Sequence, residues 1–409
     1  MNKHLLLCAF ALSFSPLFAQ QATVKGPDSN LKVDISVKEG KPFYTVTYKD
    51  NIILEDSPLG FVTSIGDFSQ NVSYVGQKSS SIKKTYVQDR IKHSSVNYNA
   101  NELRVTFTNA DKNSYDVVFR VSNNDIAFRY ELPQYGETAS IVMKAEATGF
   151  DFPENTTTFI CPQSDPMVGW KRTKPSYEEE YKADAPISTT SQYGEGYTFP
   201  CLFHVGDNWA LVSETGVRSK YCASHLSDAT EEGLYTIAFP NEGELNGLGA
   251  STPGMALPGE TPWRTITVGD NLKPIVETTV PFDVVEPLYE PSQEYKFGRY
   301  NMYDAPASMI EFMKEVPTTW DETRFIDGYP GKYCVLARRH NGRWYIAGVN
   351  ALKEPLKLEL NLSMLSDGDE CTYYYDNKKR EPQKETLKVK KASSVPVVIQ
   401  PEGGVVIVK

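Results

Sequence analysis

The chain has 409 residues, 40% of them hydrophobic and 23% charged, which are the proportions of a folded protein with room for two or three domains and not of a disordered one. A formal net charge of -10, without any run of five or more lysines and arginines, disfavours nucleic acid as a partner. The 24 Tyr, 19 Phe and 5 Trp, against only 8 Met, suit pleated sheets better than helix bundles.

Residues 1–19 read as an export signal, with Lys3 and His4 as a positive start, Leu5 to Phe14 as an apolar core, and Pro16-Leu17-Phe18-Ala19 leading to cleavage after Ala19. Cys8 lies inside the apolar run, which argues against a lipoprotein signal. The expected location is therefore the periplasm or the exterior. No later apolar stretch approaches the ~20 residues that cross a bilayer, so no membrane anchor is expected.

From Leu31 to about Pro133 apolar and polar residues alternate with period two, as in Val33-Ile35-Val37, Tyr44-Val46-Tyr48, Leu103-Val105-Phe107, Val117-Phe119-Val121 and Ile126-Phe128-Tyr130. These are half-buried strands. Asn109 to Asn113 and Asn123-Asn124-Asp125 supply turn chemistry between them, and the absence of helical periodicity argues for antiparallel sheets packed face to face. Strand-like runs continue through Phe199 to Phe203, Trp209 to Val212 and Thr265 to Val268. A helix is expected from Ala307 to Lys314.

The last portion begins with Tyr333 to Ala337, a turn at Asn341-Gly342, and Arg343 to Ala347. An Asn-Gly pair between two strands is a strong hairpin signal, because both central positions of a type I′ turn take positive φ. Leu356-Leu358-Leu360-Leu362, Cys371 to Tyr375 and Val405 to Val408 complete a compact antiparallel sandwich.

Chemistry-bearing residues are sparse. Cys161, Cys201, Cys222, Cys334 and Cys371 are odd in number, lack C-x-x-C spacing and sit in apolar contexts, so they read as small buried hydrophobes. His93, His204, His225 and His340 are scattered, without metal-like spacing. Glu178-Glu179-Glu180 cannot flank a sugar, because three neighbours in sequence do not face one another across a bond. The aromatics around that run, Trp170, Tyr177, Tyr181, Tyr193 and Tyr197, are better candidates for stacking on a sugar or for packing.

Five segments, Val168-Gly169-Trp170-Lys171-Arg172, Ser176 to Tyr181, Gly196 to Pro200, Leu211 to Gly216 and Thr261-Pro262-Trp263-Arg264, resemble together the N-terminal domain of glycoside hydrolase family 97, the bacterial α-glucosidases and α-galactosidases. Val284 to Arg299 is similar to the family's passage into its catalytic barrel, and Tyr303 to Thr323 to its passage out. A (β/α)8 barrel takes about 250 residues, and only Tyr300-Asn301-Met302 lies between the two passages.

The resemblance implies a mainly β chain: a signal peptide at 1–19, a large N-terminal β-supersandwich at 22–290, a truncated linker with a short helix at 291–316, and a smaller C-terminal antiparallel β-sandwich at 317–409, with the barrel absent. In the family the N-terminal domain covers part of the active site and lends an acidic side chain to a calcium ion, for which Glu214, at the end of the run Trp209 to Ser213, is the candidate here. A single glutamate holds calcium poorly, since the ion takes six to eight oxygens. The family's catalytic carboxylates belong to the barrel, so no catalytic residue is assigned. Two functions follow as expectations: a non-catalytic remnant or carbohydrate-binding or interaction protein, with an α-linked oligosaccharide as a candidate partner, or the exo-acting, calcium-dependent α-glucosidase or α-galactosidase activity of the full-length family.

Overall fold

The computed structural model describes residues 22–88, 92–164, 179–219, 221–230, 232–240, 251–286 and 307–409. The export signal therefore lies outside the described residues. The chain is mostly β, and every strand pairing among the described residues is antiparallel.

The period-two patterns explain which faces meet. In Leu31–Lys38 the residues Leu31, Val33 and Ile35 are fully buried, while Lys32, Asp34 and Ser36 between them stay partly exposed. Leu103, Val105 and Phe107, Val117, Phe119 and Val121, and Ile126, Phe128 and Tyr130 are likewise buried in one core with Tyr44 and Val46. Removal of each such side chain from water contributes roughly 1.5–3 kcal/mol, offset by the entropy of ordering it. Aromatic pairs fix the packing: Phe119 stacks on Phe128 at 5.0 Å, and Tyr44 lies tilted against both.

A four-stranded sheet, Ala22–Lys25, Leu31–Lys38, Lys41–Tyr48 and Asn51–Pro58, packs on this core. Opposite it runs a ten-stranded sheet in the order Ala185–Pro186, Thr157–Phe159, Cys201–Val205, Asn208–Thr215, Trp263–Gly269, Asp125–Leu132, Ser114–Val121, Ser95–Thr108 and Ser73–Val87, with Gly259–Glu260 beside Asp125–Leu132. The turn chemistry is as read: Asn109 Oδ1 accepts from the backbone N–H groups of Asp111 and Asn113, and Lys112 adopts a φ of 66°. Two short helices, α1 (Leu272–Glu277) and α2 (Val280–Asp283), close this half. They were not expected from the sequence. Asn271 caps α1 by accepting from the N–H of Lys273, and prolines at 274 and 281 occupy first turns, where their missing N–H costs nothing.

After α3 (Ala307–Glu315) the second half forms a six-stranded sheet, Glu322–Tyr329, Tyr333–His340, Arg343–Asn350, Gly404–Val408, Glu370–Asp376 and Pro382–Lys388, packed on the pair Leu356–Leu360 and Val395–Ile399. Asn341 and Gly342 both have positive φ, 49° and 78°, as the hairpin requires. Leu360, Leu362, Val395, Ile399 and Ile407 lie in its separate core.

The halves meet through Phe159, Trp209, Leu272 and Ile275 on one side and Phe325 and Tyr329 on the other. Tyr329 stands edge-on to Phe159 and Trp209 at 5.8 and 5.9 Å, its hydroxyl donates to Asp184 at 2.6 Å, and the Phe325 N–H donates to Glu277 at 2.8 Å.

One surface carboxyl weakens the fold. Burial beside Glu55, Glu232 and Asp56 pushes the Asp151 carboxyl up to about 6. A group whose folded pKa lies above its unfolded value near 3.9 supports the fold while protonated, and that support is lost as pH rises from about 4 through 6. Asp151→Asn is therefore expected to gain ~1 kcal/mol at pH 7, after allowance for solvent screening, or about 2–4 °C in Tm, and nothing at pH 4. Thermal melts at the two pH values check this, and equal melting of both proteins at pH 7 would contradict it.

Candidate functional site

The strand Asn208–Thr215 runs one residue past Glu214, which sits near its end in the ladder, directly opposite Arg264. The strand Trp263–Gly269 is buried at every position, and Arg264 is fully buried within it. Its Nε and Nη2 donate to the two oxygens of Glu146 at 3.0 and 2.6 Å, while Nη1 donates to Glu214 and to Ser224 Oγ. Ser224 also donates to Glu214 through its N–H at 2.9 Å and its hydroxyl at 2.7 Å, and the Tyr221 hydroxyl donates to Glu146 at 3.3 Å.

Burial alone acts to lower the Arg264 pKa, but Glu146 and Glu214 overcome it and hold the guanidinium above its usual value. The same surroundings push the Cys222 thiol up to about 11, burial being the main cause. The cluster is a closed ion-pair network with its donors spent on its acceptors. Sequence reasoning found Glu214 and missed Glu146, Arg264, Tyr221 and Ser224. The available signal was Arg264 itself, a lone charge in the run Trp263-Arg264-Thr265-Ile266-Thr267-Val268.

Of the acidic run, Glu178 lies outside the described residues, as do Trp170 and Tyr177. Glu179 accepts from Ser164 Oγ and the Tyr193 hydroxyl, both at 3.3 Å. Glu180 and Tyr181 border a pocket of about 300 Å³ with Lys182, Ser191, Gln192 and Tyr197. Tyr181 is exposed, whereas Tyr197 is a core residue whose hydroxyl donates to Thr189 O at 2.6 Å.

A second carboxylate group lies on the outer face of the large sheet. Arg104 Nη1 donates to Asp116 and Glu131 at 2.8 and 2.7 Å, and Arg129 bridges Glu131 and Glu260. Trp263 lies beneath the guanidinium groups of Arg120 and Arg129, at 4.8 and 4.4 Å. Asp116, Glu131, Glu260, Thr106 and Arg218 line a cleft of about 1010 Å³.

The remaining candidates are structural. The five cysteines among the described residues are free thiols, Cys201 and Cys371 buried. His204 stacks on Trp209 at 4.1 Å, and His340 Nδ1 lies 2.9 Å from Thr319 O. Among the described residues no group of three or more His, Cys, Asp or Glu side chains is placed to share a metal ion, and no helix is long and apolar enough to cross a membrane.

A family model described as Glycosyl-hydrolase 97 N-terminal matches residues 24–287, nearly two thirds of the chain. The chain belongs to glycoside hydrolase family 97. A second model, Glycosyl-hydrolase 97 C-terminal, oligomerisation, matches residues 319–408, so only residues 288–318 separate the two family 97 segments. A probable retaining α-galactosidase of Streptomyces bingchenggensis is 26% identical over 259 residues, which cover 63% of this chain and 36% of that protein. A retaining α-galactosidase of Bacteroides thetaiotaomicron is 27% identical over 139 residues, 29% of this chain and 21% of that one. The chain thus spans about a third or less of the length of these curated relatives.

Among solved structures, a β-arabinopyranosidase is 36% identical, with a TM-score of 0.88, 95% of this chain and 100% of that chain covered. A family 97 enzyme from Pseudoalteromonas sp. strain K8, solved with panose, shares the fold with a TM-score of 0.76 at 14% identity, covering 95% of this chain and 99% of that one.

Proposed function

We propose that this chain is a family 97 protein without a catalytic barrel, exported to the periplasm or beyond, and that it engages carbohydrate without hydrolysing it. The observation that carries this reading is the short interval, residues 288–318, between the two domain matches. A (β/α)8 barrel takes about 250 residues. The described carboxylates support the same reading. A glycosidase holds two carboxyl groups across the scissile bond, roughly 5–10 Å apart with the sugar between them. Here Glu146 and Glu214 converge on Arg264, and Asp116 and Glu131 on Arg104, each pair drawn together on one guanidinium.

The cleft beside Asp116, Glu131 and Glu260 offers acceptors, and Arg218 donors, for sugar hydroxyls. The preferred sugar is galacto-configured: relatives are named α-galactosidase and β-arabinopyranosidase, and a β-L-arabinopyranoside is an α-D-galactopyranoside without its hydroxymethyl group. The direct test is incubation of the purified chain with nitrophenyl α-galactoside and β-L-arabinopyranoside, for which no enzymatic turnover is expected. A second reading, exo-acting calcium-dependent α-glucosidase or α-galactosidase activity as in the full-length family, rests on the names of the relatives and would be carried by robust turnover.

Glu214 is proposed as a partner of Arg264 in place of a calcium ligand. Calcium draws six to eight oxygens to 2.3–2.6 Å. The oxygens of Glu214 already accept from Ser224 and a guanidinium, whose positive charge would repel the ion. Calcium at about 5 mM is therefore expected to shift Tm by less than about 1 °C, because stabilisation by a ligand needs a formed site in the native state. A shift near ten degrees that disappears in Glu214→Gln would restore the calcium assignment.

A further inference from the structure

Between the two halves lies a cavity of about 570 Å³, a size that accepts a small ligand. Its wall on the N-terminal side carries Lys92, Ser213 and Thr265, and its wall on the C-terminal side carries Trp320, Thr323 and Arg338. We propose that this cavity binds a small anion, a carboxylate or phosphate carried on a hydroxyl-bearing body, through Arg338, Lys92 and Thr323.

Three observations carry the assignment. Thr323 is buried, lines the cavity, and its hydroxyl has no hydrogen-bond partner among the described residues. A buried hydroxyl left unmatched costs about 1–3 kcal/mol, so such groups are expected to meet a ligand or water. Arg338 is the cross-strand neighbour of Thr323, which places the two side chains side by side on one face of the sheet. Its guanidinium lies over the Trp320 ring at 5.3 Å, and that ring packs edge-on to Tyr345, so the cation is held flat without a carboxylate partner among the described residues. Finally, Lys92 spends one donor on Thr278 O at 3.0 Å and keeps two unspent among the described residues.

The nearby acids do not neutralise these cations directly. Asp125 accepts from Thr267, Thr278 and Ser122, and Glu277 from Lys273 and the Phe325 N–H. Burial accordingly lowers the Lys92 pKa despite the attraction of Asp125 and Glu277. An anion in the cavity would relieve that cost, and a planar carboxylate or a phosphate matches the fork of a guanidinium. Ser213 and Thr265 line the same space, and their hydroxyls suit a polyol body.

The test uses the full chain and two anionic probes, sodium galacturonate and sodium phosphate, each against galactose and against sodium chloride of equal ionic strength. Calorimetric titration is expected to give a Kd near or below about 1 mM for at least one anion, whereas any binding of galactose at the cleft beside Asp116 should be unchanged in Arg338→Gln. Galacturonate alone assigns a sugar carboxylate, and phosphate alone assigns a phosphoryl group. Arg338→Gln and Lys92→Met should each weaken binding about tenfold or more. Thr323→Val should weaken it several-fold while leaving the unliganded Tm undiminished, because it deletes an unmatched hydroxyl and keeps the shape. Absence of binding by both anions, or full retention of anion affinity in folded Arg338→Gln and Thr323→Val, would each overturn the proposal. Should Arg338→Gln fail to fold, the isosteric Thr323→Val decides.

Discussion

Arg264→Met is expected to cost the fold about 3–5 kcal/mol and to lower Tm by ~10 °C or more. The argument rests on what remains behind. Glu146 has a fully buried side chain and Glu214 one that is 10% exposed, and without the guanidinium two carboxylates would share a dry site with, among the described residues, only Ser224 and Tyr221 as donors. Breaking a buried ion pair from one side leaves an uncompensated charge, whereas replacing the whole set by neutral groups of similar volume costs little. Arg264→Met combined with Glu146→Gln and Glu214→Gln should therefore recover most of the loss. Arg264→Lys should fall between, since an ammonium keeps the charge but not the two-pronged contact with Glu146. Chemical denaturation of the single and combined variants measures the coupling directly. A single-variant loss below about 1 kcal/mol, or a combined variant no better than the single one, would mean that the network does not hold this sheet together.

The regular parts of the architecture were legible because their signals are local. Alternation in Val117-Phe119-Val121 and Ile126-Phe128-Tyr130 names the buried face of two paired strands without any knowledge of the partner, and Asn341-Gly342 names its own turn. The short helices α1 and α2 were not legible. Each is under two turns long and carries a proline in its first turn, too short a stretch to show a helical period in the sequence.

The site was half legible for a different reason. Glu214 drew attention as a carboxylate near an expected strand end, but its role depends on Arg264, which the strand ladder sets opposite it, and on Glu146, 118 positions from Arg264 in sequence. A pairing of that range follows from the order of strands in the sheet, which no local pattern encodes. The cavity between the halves was invisible in the same way, since Lys92, Arg338 and Thr323 belong to separate domains or strands and look ordinary one at a time.

No turnover of nitrophenyl α-galactoside or β-L-arabinopyranoside is expected from this chain, and substantial turnover is expected once a family 97 barrel is inserted between Arg299 and Tyr300. Enzymes accelerate such reactions by about 10⁶-fold or more, and a positioned proton donor with a second carboxylate across the sugar supplies the chemical part of that gain. Substrate contacts by the β domains alone bind ground state and transition state alike, which lowers KM without raising kcat. The insertion distinguishes two explanations of a silent chain. Restored hydrolysis would show that the flanking domains still fit a barrel and that the missing residues alone account for the loss. Failure of the insertion would leave the close packing of Phe325 and Tyr329 on Trp209 and Phe159 as the cause, a contact between the halves that a barrel would have to displace. Robust hydrolysis by the unmodified chain, abolished by Asp116→Asn or Glu131→Gln, would overturn the non-catalytic reading and move the active site to the cleft those carboxylates line.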